Sequence, residues 1–234
     1  TGTASVTEDT NPTASGQLTA SDVDNPSLAF VAETVVGVYG SVTVDETGAW
    51  TFTAGPGAQA LAGGEVQTET YTITLNDGST TTIAITLTGT DDAPVISTGS
   101  GSVIEDTAPT TSGQLTATDA DNPGLAFNAG TLVGTYGSLT IDAAGAWSFT
   151  AGAGADQLAE GEVQTETYTV TLNDGSTTTV QITITGTDDA PVISSAVAAV
   201  TEDSDPTASG TLTATDADNP NLQFFAGTIG AVSY

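Results

Sequence analysis

The chain has 234 residues and carries 29 Asp plus Glu but no Lys, Arg, His, Cys or Met, for a formal net charge of −29. Without Lys or Arg it lacks what phosphate backbones and anionic headgroups require, which excludes nucleic acid and acidic membrane surfaces as partners. No apolar run approaches the roughly 18 residues of a membrane span, and no carboxylate can be neutralised by a cationic side chain, so self-repulsion must be offset by solvent counter-ions or bound metal.

Acidic chains poor in aromatics are often disordered, but here 38% hydrophobic residues, regular apolar alternation and two Trp in equivalent places supply a core. The absence of Cys excludes a disulfide framework. Internal repetition sets the organisation. Val6-Thr7-Glu8-Asp9 recurs as Val103-Ile104-Glu105-Asp106 and Val200-Thr201-Glu202-Asp203, 97 residues on each time, and the same offset links Trp50 to Trp147. The expected domains are residues 1–93, 94–190 and 191–234, the last being the N-terminal part of a third repeat. Its remaining strands are expected further along the same polypeptide or from another copy.

Within the second repeat the elements follow in order. Leu115 and Ala117 alternate with polar neighbours, Leu125 and Phe127 follow, and then Leu139 and Ile141. Asp142-Ala143-Ala144-Gly145 reads as a hairpin turn before Trp147 and Phe149, and residues 155–162 read as a helical turn. Tyr168, Val170 and Leu172 lead into the turn Asn173-Asp174-Gly175, after which come Val180, Ile182 and Ile184. Period-two alternation over about 100 residues with some seven short strands predicts an all-β chain of tandem immunoglobulin-like antiparallel β-sandwiches.

Four acidic groups recur with the repeat: Glu8-Asp9, the loop Asp22-Val23-Asp24-Asn25-Pro26, Asp77 in an Asn-Asp-Gly turn, and the exit run Asp91-Asp92-Ala93-Pro94. Each has a plain structural reading as a solvated strand end, an Asx-turn before proline, a tight turn or a stiff polar linker. Their joint recurrence at predicted sandwich ends favours calcium, which takes six to eight oxygen ligands in flexible geometry. Carboxylates without His or Cys disfavour zinc and copper. A paired-carboxylate hydrolase site copied into each repeat without an aromatic cleft is a poor catalyst, so no enzyme is expected. The stretch Ala151 to Asp156 has a faint likeness to a calcium β-roll turn, but such turns need tandem copies and Gln59 stands where Asp156 recurs.

The order of Glu8-Asp9, Gly16 to Ala20, Asp22-x-Asp24-Asn25, Tyr39-Gly40, Gly48-Ala49-Trp50, Leu61 to Glu65 and Gly89 to Pro94 resembles the VCBS repeats of bacterial RTX-type adhesins. More distantly it is similar to cadherin repeats, and the likeness spans essentially the whole chain. It implies calcium at the junctions between repeats. For the first junction it implies Glu8, Asp91, Asp92, Asp119, Asp121 and Asp174; for the second, Glu105, Asp188, Asp189, Asp216 and Asp218. Asp22, Asp24 and Asp77 are the matching positions in the first repeat. Asp92-Ala93 replaces the cadherin Asp-Asn-Ala, and the mid-repeat Asp-Arg-Glu motif is missing, which points to one or two ions per junction.

The expected role is a structural extender or stalk in a large extracellular bacterial adhesin, at the cell surface or secreted, with calcium and neighbouring repeats as partners and possible association with other copies. The alternatives are a self-assembling filament or surface-layer subunit, and a carbohydrate-binding repeat.

Overall fold

The computed structural model describes residues 1–201, 203, 207–225 and 227. The expected acidic strand end at Glu202 and the tail at 228–234 lie outside the described residues. The chain divides into two compact units: Thr1–Ile96 with Ala117–Leu125, and Ser97–Thr116 with the described residues from Ala126 onward.

The first unit holds β1 (Gly2–Thr7), β2 (Thr13–Gln17), β3 (Glu33–Val36), β4 (Gly40–Val44), β5 (Ala49–Ala54), β6 (Val66–Thr74), β7 (Thr80–Thr88) and β8 (Val95–Ile96). They form a three-stranded sheet, β1-β7-β6, and a four-stranded sheet, β2-β5-β4-β3. Val42, Val44, Trp50 and Phe52 from the second join Tyr71, Ile73, Ile83 and Ile85 from the first in one buried cluster. Period-two strands turn every second side chain inward, which is why this alternation makes a sandwich core. The Phe52 and Tyr71 rings meet at 5.9 Å and 58°, a tilted aromatic contact.

The second unit repeats the plan with β9 (Gly99–Ile104) and β10 (Thr110–Gln114) before, and β12 (Gly130–Val133), β13 (Gly137–Ile141), β14 (Ala146–Ala151), β15 (Val163–Thr171) and β16 (Thr177–Thr185) after, the short β11 (Ala117–Thr118). Its sheets are β15-β16-β9 and β10-β14-β13-β12. Two further short strands, β17 (Val192–Ile193) and β18 (Ala214–Thr215), pair with each other. The Asn173-Asp174-Gly175 turn joins β15 to β16, with Gly175 at φ 92, a left-handed value that a side chain would strain. The helical turn foreseen over 155–162 is a single 3-10 turn, Ala155–Gln157. Of the expected core, Ala117 and Leu125 are only half-buried. They lie in and beyond β11, which pairs with β8 and not within the main sheets of the second unit.

The sandwiches are antiparallel except at one seam in each. β1 runs parallel to β7, with Thr7 opposite Thr88, and β9 runs parallel to β16, with Ile104 opposite Thr185. Two parallel strands finish at the same end. Glu8-Asp9 after β1 and Thr90 to Asp92 after β7 therefore leave the first sandwich side by side, although more than 80 residues separate them.

The Trp147 ring lies over Gly113, where a Cβ would come within 2.5 Å of ring carbon Cζ2. Gly113→Ala is accordingly expected to destabilise the second unit by about 1–3 kcal/mol through overpacking. Thermal unfolding that leaves the transition of the second unit unmoved would contradict this packing.

Candidate functional site

At the end of the first sandwich, Glu8 is buried, and its Oε1 accepts hydrogen bonds from the Thr90 N–H at 2.9 Å and the Thr90 hydroxyl at 3.3 Å. The same hydroxyl also lies 2.7 Å from Asp9 Oδ2. Gln59 donates to the other oxygen of Asp9 at 3.3 Å. Antiparallel pairing of β8 with β11, Val95 opposite Thr118, brings the Asp119-to-Asn122 turn back against the exit run. There the Asp92 N–H donates to Asp121 Oδ2 at 3.3 Å, and the Asp121 and Asn122 N–H groups both donate to Asp119 Oδ1 at 3.3 Å.

Three carboxylate oxygens in this group are left over. Glu8 Oε2, Asp92 Oδ2 and Asp121 Oδ1 are buried with no hydrogen-bond partner. A buried anionic oxygen without a donor is costly, because its desolvation is uncompensated. Burial pushes the Asp92 carboxyl above the ordinary aspartate range, and the charges of Asp9, Asp121 and Asp91 push it further. Asp119 is raised too, first by the hydrogen bond it shares with the Asp121 carboxyl and then by burial.

The second unit reproduces the arrangement. Glu105 is buried, its Oε1 accepts from the Thr187 N–H at 2.8 Å, and Asp106 accepts from the Thr187 hydroxyl at 3.0 Å. The Asp189 N–H donates to Asp218 Oδ2 at 3.4 Å, β17 pairing with β18 in the role of β8 and β11. Glu105 Oε2, Asp216 Oδ1 and Asp218 Oδ1 are again buried without partners. Burial raises Glu105 and Asp189, aided in both by Asp106 and Asp156, while Asp216 is raised chiefly by the hydrogen bond it shares with Asp218.

The other expected ligands stand differently. Asp91 is exposed, with Gly63 against its backbone and Cβ. Asp188 contributes charge to Asp189 and Asp216. Asp22 and Asp24 are exposed in their loop, where the Asp24 N–H donates to Asp22 Oδ1 at 2.9 Å. Asp77 and Asp174 each spend Oδ1 inside their own hairpin turn, on the N–H and hydroxyl of Ser79 and of Ser176. Those bonds hold both carboxyls below the ordinary aspartate range.

The ligand sets expected from sequence left out Thr90 and Thr187, which bridge Glu and Asp, Asp9 and Asp106, whose carboxylates they hold, and Asp156, which enlarges the second group. Sequence reading also missed a different kind of carboxylate. Glu69 accepts from the N–H groups of Val38 and Tyr39 and from the Tyr71 hydroxyl, and Glu166 does the same with Thr135, Tyr136 and Tyr168. Burial works against the charge of Glu69, yet these donors outweigh it and lower the carboxyl. Glu69 is thus a structural clamp on the β3–β4 hairpin.

As a donor set for a divalent cation, the two acidic ends supply oxygen only, from side chains that already lack donors, which suits calcium in preference to zinc or copper. Among the described residues, no three acidic side chains are drawn together closely enough to hold a metal as they stand. Their mutual repulsion opposes closure, and a dication at the centre would favour it.

Two-sheet sandwiches repeated in tandem, with acidic ends built from an entering Glu-Asp and an exiting Asp-Asp, define a cadherin-like repeat, an adhesion-type structural domain. The sequence matches the description of the bacterial cadherin-like domain over residues 1–89 and again over 91–186, and the chain belongs to that family. Solved structures similar to it include the EC21-23 segment of human CDH23, at 19% identity with a TM-score of 0.43, over 92% of this chain and 82% of that one. The EC22-24 segment of mouse cadherin-23 is similar at 18% identity with a TM-score of 0.43, over 92% and 74% of the two chains. The EC1-4 segment of Drosophila N-cadherin is similar at 18% identity with a TM-score of 0.31, over 81% of this chain and half of that one. No curated protein matches the sequence. Among the described residues no helix is long and apolar enough to cross a membrane.

The opposed shifts give a pH signature. Asp92, Asp119, Glu105, Asp189 and Asp216 are raised in the fold, so without metal their ionisation costs stability as pH rises through their folded pKa values. Asp77, Asp174 and Glu69 are lowered, so the stability they add is present above their unfolded values and lost as pH falls through the folded ones. The metal-free protein is therefore expected to melt highest at about pH 4–5, near the unfolded carboxyl values, and to lose stability on either side. A melting temperature in chelator that keeps rising to pH 8 would contradict these assignments.

Proposed function

We propose that the chain is part of the stalk of an extracellular bacterial adhesin, of the VCBS type found in RTX-type adhesins, whose repeats are stiffened where their acidic ends hold calcium. The observation that carries this reading is the recurrence, at both acidic ends, of buried carboxylate oxygens with no hydrogen-bond donor. A bound dication supplies the positive charge that a chain without Lys, Arg or His cannot supply itself. Glu8, Asp92 and Asp121, with Asp9, Asp91 and Asp119 around them, would hold it in the first unit; Glu105, Asp189, Asp216 and Asp218 would do so in the second. Asp22, Asp24, Asp77 and Asp174 remain proposed contributors through their remaining oxygens.

The mechanical logic follows from the strand ends. Glu8 is fixed by the body of a sandwich, Asp92 by the exit run, and Asp119 and Asp121 by the loop after β11. Carboxylates from all three closing on one ion tie these segments together. Without it, like charges repel and the exit run is free to hinge. Binding at about 10⁻⁴ to 10⁻³ M, as for extracellular calcium modules, would keep the sites filled outside a cell.

At calcium of roughly ten times the dissociation constant, linkage adds about 1.4 kcal/mol per site. Chelation is expected to lower the melting temperature and shorten the maximum dimension in small-angle scattering, and magnesium, which demands tighter octahedral geometry, to restore little. Asp92→Asn with Asp121→Asn should mimic chelation at the first site alone. Identical melting temperature and dimension in calcium and in excess chelator would overturn the stalk reading.

A further inference from the structure

The two acidic ends are not equivalent. In the first unit the position beside Asp9 is Gln59, whose amide Nε2 donates to Asp9 Oδ1 at 3.3 Å. The Asp9 carboxylate is thereby partnered on both oxygens, Thr90 holding the other. In the second unit the matching position is Asp156, which can give Asp106 no hydrogen bond while ionised. Asp156 sits in the Ala155–Gln157 turn, fixed on either side by buried Ala155 and Leu158. It lines an open cleft of about 460 Å³ together with Asp106, Asp189 and Asp216.

A second observation bears on this cleft: Oδ1 of Asp216, which lines it, is buried with no hydrogen-bond partner. Glu105 is 1% exposed and its Oε2 has no partner, and the neighbours whose charges act on it are Asp106, Asp189 and Asp156. A carboxylate oxygen buried among carboxylates lacks a donor, and a cation would supply the missing partner.

We propose that Asp156 is a further cation ligand, which makes the acidic cleft of the second unit bind a divalent cation, calcium by its all-oxygen donor set, more tightly than the corresponding cleft of the first unit. The inference rests on the calcium reading above and adds an order of filling to it. Ligand charge count and rigidity tune calcium affinity over decades. One additional carboxylate within direct reach of a dication, in a partly solvated cleft, changes affinity by about tenfold or more. As calcium falls, the first unit empties while the second stays filled, so stiffness is lost first at the acidic site of the first unit.

The test is calorimetric titration of calcium into the full, chelator-stripped chain at fixed ionic strength, for the wild type, Asp156→Gln and Gln59→Asp. The wild type is expected to show two affinity classes about tenfold apart. Asp92→Asn should abolish the weaker class and Asp189→Asn the tighter one. Asp156→Gln should weaken the tighter class to the level of the other, and Gln59→Asp should tighten the weaker class, a gain that misfolding cannot produce. Equal constants at both sites, or unchanged constants in Asp156→Gln and Gln59→Asp, would overturn this inference and leave the calcium reading standing. Absence of any calcium binding would overturn both.

Discussion

The constraint on which the rest depends is that 29 carboxylates share a chain with no cationic side chain. Each must find hydrogen-bond donors, water or a cation from outside. The structure sorts them by what they find. Glu69 and Glu166 are encircled by backbone N–H groups and a tyrosine hydroxyl, and Asp45, Asp77 and Asp174 are satisfied within their own turns. Glu8 and Glu105 are satisfied on one oxygen only, and so are buried groups with half of their charge unanswered. The first two classes stabilise a sandwich; the third destabilises it until something positive arrives.

The parallel seam explains why the unanswered charge gathers where it does. If β1 paired antiparallel with β7, Glu8 and the Thr90–Asp92 run would leave from opposite ends of the sheet. The parallel register Thr7–Thr88 puts them together, and the Thr90 N–H reaches Glu8 Oε1 as a direct result. The short β8–β11 pair then adds Asp119 and Asp121 from the following segment. Three stretches that are remote in sequence thus deliver carboxylates to one place, twice along the chain.

The sheet itself was legible in the sequence because it is local physics: the alternation of Leu139, Ile141, Trp147 and Phe149 and the turn chemistry of Asp142–Gly145 and Asn173–Gly175 lie within a few residues of one another. The grouping of Glu8 with Asp92 was reachable only through family resemblance. The parallel seam was not legible, since it joins strands more than 70 residues apart with no turn to announce it, and the bridging role of Thr90 depends on that seam. Ala117 and Leu125 carried the alternation of a core strand yet are half-buried, because β11 pairs outside the main sheets. Asp156 was visible as a departure from Gln59, but only its place beside Asp106 and Asp189 gives the departure a chemical meaning.

The central claim, that buried oxygens without donors at the two acidic ends are calcium ligands, is tested most directly by an anomalous-difference map from crystals grown in calcium. The account predicts a peak about 2.3–2.6 Å from Glu8 Oε2, Asp92 Oδ2 and Asp121 Oδ1, and another beside Glu105 Oε2, Asp216 Oδ1 and Asp218 Oδ1. A map without a peak at either place, with ordered water completing those oxygens, would contradict it.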